Sequence, residues 1–296
     1  MAEQKNSEEK MKKNQYCMPV AVCCFAIHGV IASAGEGHDH VSDEVIAEQR
    51  AALAAATDGV GFGPQSPRDI DSSHGLNERA FGGAPHHSEM HLCNIHFHEN
   101  AEHRGGEFTT HAGNGNGHGY GTGFEYDGEL TAQELASIEM KVGESEHGHL
   151  EPGDTIEIHF VHSSANVNPG PTLGACVSEA IKNPHLRVET VVAVLVNDPD
   201  ARDFLEMADV EPVDGLYQAT LPADLGEPVV YSGSTTGPGY NEKGSPFHVT
   251  WSVRPNVAKL NIHSVAAWLD DNPFDEDHAH GVRNLVVNDA LLSPIE

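Results

Sequence analysis

The sequence predicts a mainly β (α+β) fold, and three observations point there. The composition holds 30 Gly and 17 Pro with only 6% aromatic residues, a balance that suits many turns better than a helical bundle. From Gly61 onward, turn signals recur between short apolar runs: Gly63-Pro64, Gly82-Gly83, Pro152-Gly153-Asp154, Pro169-Gly170-Pro171 and Gly237-Pro238-Gly239. Four runs, at 92–98, 155–162, 188–196 and 247–253, alternate or stay continuously apolar over strand length, and most are rich in β-branched residues.

The elements follow in chain order. Residues 1–34 read as an export signal: Lys10, Lys12 and Lys13 precede an apolar run from Cys17 through Ile31, which ends in Ala32-Ser33-Ala34. Residues 35–60 read as an acidic, His-containing mobile leader with one helical turn or more, carrying His38 and His40. Residues 61–296 read as one domain, a length that can bury a sizeable core. Short helices are expected at 132–140 and 265–269, and the tract 113–119, with four glycines, is expected to be a loop. Cleavage after Ala34 would leave Cys93 and Cys176, a natural disulfide pair in an oxidising compartment, with two buried thiols as the alternative. The export reading places the mature chain in the periplasm or outside the cell, with no membrane attachment.

Charge excludes one class of partner. With 16 Lys plus Arg against 45 Asp plus Glu, the formal charge is -29, and no basic footprint for phosphate is visible, so nucleic acid is not expected. Such acidity keeps a chain hydrated and suits a salty medium that screens self-repulsion. Homo-oligomeric assembly stays open.

The segment Asn94-Ile95-His96-Phe97-His98, followed far downstream by Glu157-Ile158-His159-Phe160-Val161-His162, carries the chemistry. Residues two apart on a strand share a face, so His96 and His98 present both imidazoles to one side. His159 on a neighbouring strand supplies a third nitrogen, leaving a fourth tetrahedral position for water, as catalytic Zn2+ requires. Three neutral histidines preserve the ion's charge, which lowers the pKa of bound water to about 7. Glu157 and Asn94, each two residues before a ligand, are placed to accept the other ring N–H of His159 and His96. His162 competes as third ligand, but three residues beyond His159 it points to the opposite strand face.

At these residues the chain resembles the δ-class carbonic anhydrases of bacteria and algae, and more distantly the α-class. The δ-like similarity runs from about Gly63 to the C-terminus and is densest over MHLCNIHFHENAEHRGGEF, residues 90–108. The α-like patches keep one order: Gln65-Ser66-Pro67-Arg68-Asp69-Ile70, the His96/His98 strand, Glu157 to His162, Ala193-Val194-Leu195, Tyr231-Ser232-Gly233-Ser234-Thr235-Thr236, and Val249-Thr250-Trp251. The resemblance implies a central, largely antiparallel twisted sheet with a few short peripheral helices. It implies reversible hydration of carbon dioxide to bicarbonate by zinc-bound hydroxide, with zinc on His96, His98 and His159. It gives Glu102 a threonine hydroxyl as partner; an ungapped match makes that Thr236, and a one-residue gap makes it Thr235. Val161, Val194 and Trp251 match positions that wall the apolar side of the pocket. Glu99 departs from the α-class pattern, which has an aromatic there. His118 and His74 are candidates for the proton carrier, and neither is chosen. A non-catalytic binding module on the same fold and a His-rich metal-buffering protein are the alternatives.

Overall fold

The computed structural model describes residues 40–79, 81–235, 239 and 241–296. The segment 1–34, the first residues of the leader including His38, and Thr236 lie outside them.

The four strand-like runs are strands, joined by two more: β1 His91–Glu99, β2 Thr155–Ser163, β3 Leu186–Val196, β4 Val229–Ser234, β5 His248–Val253 and β6 Ala258–Asn261. They form one six-stranded sheet in the order β1-β2-β3-β5-β4, with β6 also on β3. The β1/β2, β2/β3 and β4/β5 pairs are antiparallel, and β5 and β6 lie parallel to the first and second halves of β3. Long β3 therefore carries neighbours along its whole length. Its eleven residues LRVETVVAVLV are all buried after the first, as a strand covered on both faces must be.

Alternation divides the core in two. One face of the sheet carries Ile95, Phe97, Ile156, Ile158, Phe160, Val191, Ala193 and Leu195, packed against Phe204, Val265, Trp268 and Phe274. Phe204 and Trp268 come from the helices α2 Phe204–Ala208 and α3 Ile262–Asp270. The expected helix at 265–269 is thus present with one more turn in front, where the Asn261 side chain accepts from the His263 N–H. The other face carries Val161, Val188, Val192, Val249, Trp251 and Val253. The imidazoles lie on this second face.

Two expectations are corrected. Residues 132–140 form turns and no helix. Thr131 and Glu134 do exchange capping bonds, the Glu134 carboxylate accepting from Thr131 N at 2.7 Å. The turn does not continue as a helix: Asn197 takes the carbonyls that a helix would use, through Asn197 N to Glu134 O and Asn197 Nδ2 to Ala136 O. The leader differs too: Asp43–Thr57 is a 15-residue helix, α1, docked on the domain. Its Leu53 is buried with Val286, Leu291 and Leu292. Ile46, Leu53 and Thr57 recur on one helical face, and the domain supplies the apolar surface that a free helix would lack. Among the described residues, no helix is long and apolar enough to cross a membrane. Cys93 and Cys176 are joined in a disulfide, which ties β1 to the turn at Leu173–Cys176.

Candidate metal centre

The register of β1 on β2 sets His96 directly opposite His159 and His98 directly opposite Glu157. Cross-strand partners share a face, so two strands deliver three imidazoles and a carboxylate to one patch. A donor nitrogen from each of His96, His98 and His159 lies within 4.8 Å of the others. His96 Nε2 and His159 Nδ1 are 3.2 Å apart.

The far nitrogen of each ring is held by an acceptor. His96 Nδ1 donates to Asn94 Oδ1 at 2.7 Å, His98 Nδ1 to the Gly281 carbonyl at 2.9 Å, and His159 Nε2 to Glu157 Oε1 at 2.7 Å. These contacts fix the tautomers and point three lone pairs inward. Burial pushes the His96 imidazole well below its ordinary range and that of His98 down to about 4, so both are neutral near pH 7. The Glu157 carboxylate is itself tied down. It accepts from His103 N at 3.0 Å and from the His103 ring at 2.7 Å. Burial raises its pKa, but the His103 and His159 contacts outweigh that and hold it well below the usual carboxylate range.

Residues 87–264 match a family model described as Delta carbonic anhydrase, which is more than half of the chain. The chain belongs to the delta carbonic anhydrase family. Among solved structures, this carbonic anhydrase is similar to the Photobacterium profundum alpha-carbonic anhydrase at 16% identity, covering 83% of this chain and 95% of that one with a TM-score of 0.26. A halotolerant carbonic anhydrase from Dunaliella salina matches at 15% identity, covering 82% and 86%, with a TM-score of 0.30. No curated protein matches it.

The donor set of this carbonic anhydrase fits zinc. Three ring nitrogens converge, each ring backed by an acceptor, and among the described residues no fourth protein ligand joins the three histidines in that group. Around them the structure adds residues for which the sequence reading named no role. His103 bridges Glu157 to the Tyr231 hydroxyl, which lies 2.7 Å from His103 Nε2. Tyr231 in turn lies 3.3 Å from Ser66 Oγ, and Ser66 also accepts from Ser234 N. Gly233 is required at this crossing, because a Cβ there would come within 2.0 Å of Ser66 Oγ. The patch 65–70 is thus a strap behind the centre.

Glu102 is fully buried beside the cluster, its Oε2 3.9 Å from His159 Nε2. Its Oε1 accepts from the backbone and side chain of Arg283 at 3.1 and 3.3 Å. Burial raises its pKa, but His98, Arg283 and His159 outweigh that and lower it. The second oxygen, Oε2, has no hydrogen-bond partner among the described residues. Thr235 is among the described residues and does not supply one.

Trp251 packs edge-on against His159 with ring centres 5.0 Å apart, and Val161 belongs to the same apolar group. Val194 is buried in β3, two residues beyond Val192. His118 and His74 are both exposed. A different imidazole lies near the cluster. His280 has ring centres 5.6 Å from His96 and 5.8 Å from His98, and its Nε2 contacts Glu276 Oε2 at 2.6 Å. A backbone bridge to His98 brings it there. His162 faces the opposite side of the sheet, its Nδ1 on the Phe160 carbonyl. Glu99, the departure from the aromatic pattern, accepts from Gly121 N at 3.2 Å.

Proposed function

We propose that this carbonic anhydrase interconverts carbon dioxide and bicarbonate at a zinc ion held by His96, His98 and His159. Zinc bound there supplies Lewis acidity that makes hydroxide available near neutral pH. The chain's own residues do the rest. Asn94, the Gly281 carbonyl and Glu157 orient the three rings, and His103 and Tyr231 hold Glu157 in turn. Glu102, anchored by Arg283, would accept a hydrogen bond from a threonine hydroxyl, which the family resemblance makes that of Thr236. A threonine oxygen so committed would act as an acceptor and orient the group that attacks carbon dioxide. Trp251, Val161 and Val194 form the apolar side on which carbon dioxide rests.

The observation that carries this reading is the triple convergence: three ring nitrogens within 4.8 Å of one another, each with its far nitrogen held by an acceptor. The test is His98→Ala. Zinc content per chain, by elemental analysis, and carbon dioxide hydration, by stopped-flow indicator assay, are both expected to fall to background. A variant that keeps full hydration activity overturns the assignment.

We further propose that the mature chain works in the periplasm or outside the cell, on carbon dioxide and bicarbonate and without nucleic acid. The charged and apolar pattern of residues 1–34 and the Cys93–Cys176 disulfide support export.

A further inference from the structure

The inward face of α1 carries a charge among apolar neighbours. Ile46, Arg50, Leu53 and Thr57 recur at helical spacing, and Ile46, Leu53 and Thr57 are buried against the domain. Arg50 is half-buried, and its Nε lies out of solvent with no hydrogen-bond partner among the described residues. Desolvation alone lowers its pKa, with no carboxylate pushing the other way. The chain has 45 acidic side chains against 16 Lys plus Arg, so acidic partners are abundant, yet this guanidinium is paired with none of the described ones. A buried donor on a charged group is costly to leave unsatisfied.

Arg50 opens onto a cavity of about 340 Å³ whose lining includes Asp43, His111, Asn114, Phe124 and Arg283. Arg50 is the guanidinium of this lining that has no ion-pair partner among the described residues. Arg283 is neutralised by Glu102. Asp43, the acidic residue of the lining, is engaged by Asn114 Nδ2 at 2.8 Å. Burial and the nearby Arg50 lower the pKa of His111, which leaves it a neutral ring able to donate one N–H. Phe124 and Ile46 add an apolar wall. A cationic fork, a neutral donor and an apolar wall together fit an anion that carries paired oxygens.

We propose that this cavity binds a small planar oxyanion, either bicarbonate or an organic carboxylate. Its two coplanar oxygens take the Nε–H and an Nη–H of Arg50 as a bidentate pair. The site is separate from the three histidines and does not depend on a metal there. It lies one ion pair away from them, because Arg283 lines the cavity and also holds Glu102.

The test titrates sodium bicarbonate and sodium acetate separately into the full-length chain in chloride-free buffer and follows the melting midpoint. Each titration is repeated in Arg50→Gln, Arg50→Lys and His98→Ala. The expected result is a saturable rise in midpoint for the native chain and for His98→Ala. In Arg50→Gln the apparent affinity falls at least tenfold. Arg50→Lys, which keeps the charge and loses the fork, guards against a misfolded glutamine variant and should also bind several-fold more weakly. A response to bicarbonate alone identifies the inorganic ion as ligand, and a response to acetate of equal or greater strength identifies an organic carboxylate. The proposal is overturned if the native chain shows no saturable response, or if Arg50→Gln and Arg50→Lys respond as the native chain does. A response lost in His98→Ala and kept in Arg50→Gln overturns it as well, by placing the anion at the histidines.

Discussion

Glu157 shows how much a single side chain is asked to do. It accepts from the His103 backbone, the His103 ring and the His159 ring, and all of these partners are donors. Glu157→Gln would turn an amide NH2 towards one of them, so at least one contact becomes donor against donor. We expect zinc affinity, measured by chelator competition, to fall by about 10- to 100-fold, while far-UV circular dichroism stays native. An unchanged affinity would mean that Glu157 does not orient His159. At this scale the candidate ligands were legible because they obey a local rule: His96 and His98 share a strand face, and Glu157 sits two residues before His159. His103, Tyr231 and the Gly281 carbonyl obey no such rule. Their sequence distances to their partners run from 54 residues for His103 and Glu157 to 183 for His98 and Gly281.

At the scale of elements, α1 and the turn before β2 carry two predictions. Leu53 is the helix residue buried among Val286, Leu291 and Leu292. Leu53→Ala should destabilise the fold by about 2–3 kcal/mol, read from denaturant unfolding, since a large-to-small change loses both transfer energy and packing. A mobile leader would show no effect. Asp154 closes the turn into β2, its Oδ2 accepting from Glu151 N at 2.7 Å. Burial first, with Glu99, Glu151 and Glu125 adding repulsion, raises its pKa to about 7. An acid whose folded pKa lies above its unfolded value of about 3.9 favours the fold in its protonated form. That advantage is fully present below about pH 4 and is lost as pH rises towards 7. Asp154→Asn should therefore stabilise the protein above pH 7, by about 1–2 kcal/mol after allowing for the partial exposure of the side chain. Below pH 4 it should change little. Equal midpoints for the two proteins at pH 8 would contradict this. Strands were the readable elements, because a run buried on one or both faces advertises its period. The helix expected at 132–140 failed for a reason outside its own sequence: Asn197 bonds the carbonyls that the helix needed.

For the whole molecule, the disulfide closes a separation of 83 residues between β1 and the turn beyond β2. In the chain-entropy account a loop of that length stabilises by about 4.5 kcal/mol. The double change Cys93→Ser with Cys176→Ser should thus lower the melting midpoint markedly, and a midpoint within experimental error of the native one would contradict it. The same bond shows where sequence reading reaches its limit. Counting cysteines left after export made the pair plausible, but bonding needs two sulfurs brought together, which only the folded chain decides. By itself the sequence determined the β-rich class, four of the six strands of the sheet, the face on which His96 and His98 lie, and the supports from Asn94 and Glu157. All of these follow from the two-residue period of a strand. The tertiary structure decided the rest. It set His96 opposite His159 through strand register, brought Gly281 and His280 back onto β1, and joined Glu102 to Arg283. It also docked α1 so that Arg50 faces a cavity. Each of these joins residues from separate parts of the chain, and such contacts are fixed by packing and hydrogen bonding in three dimensions.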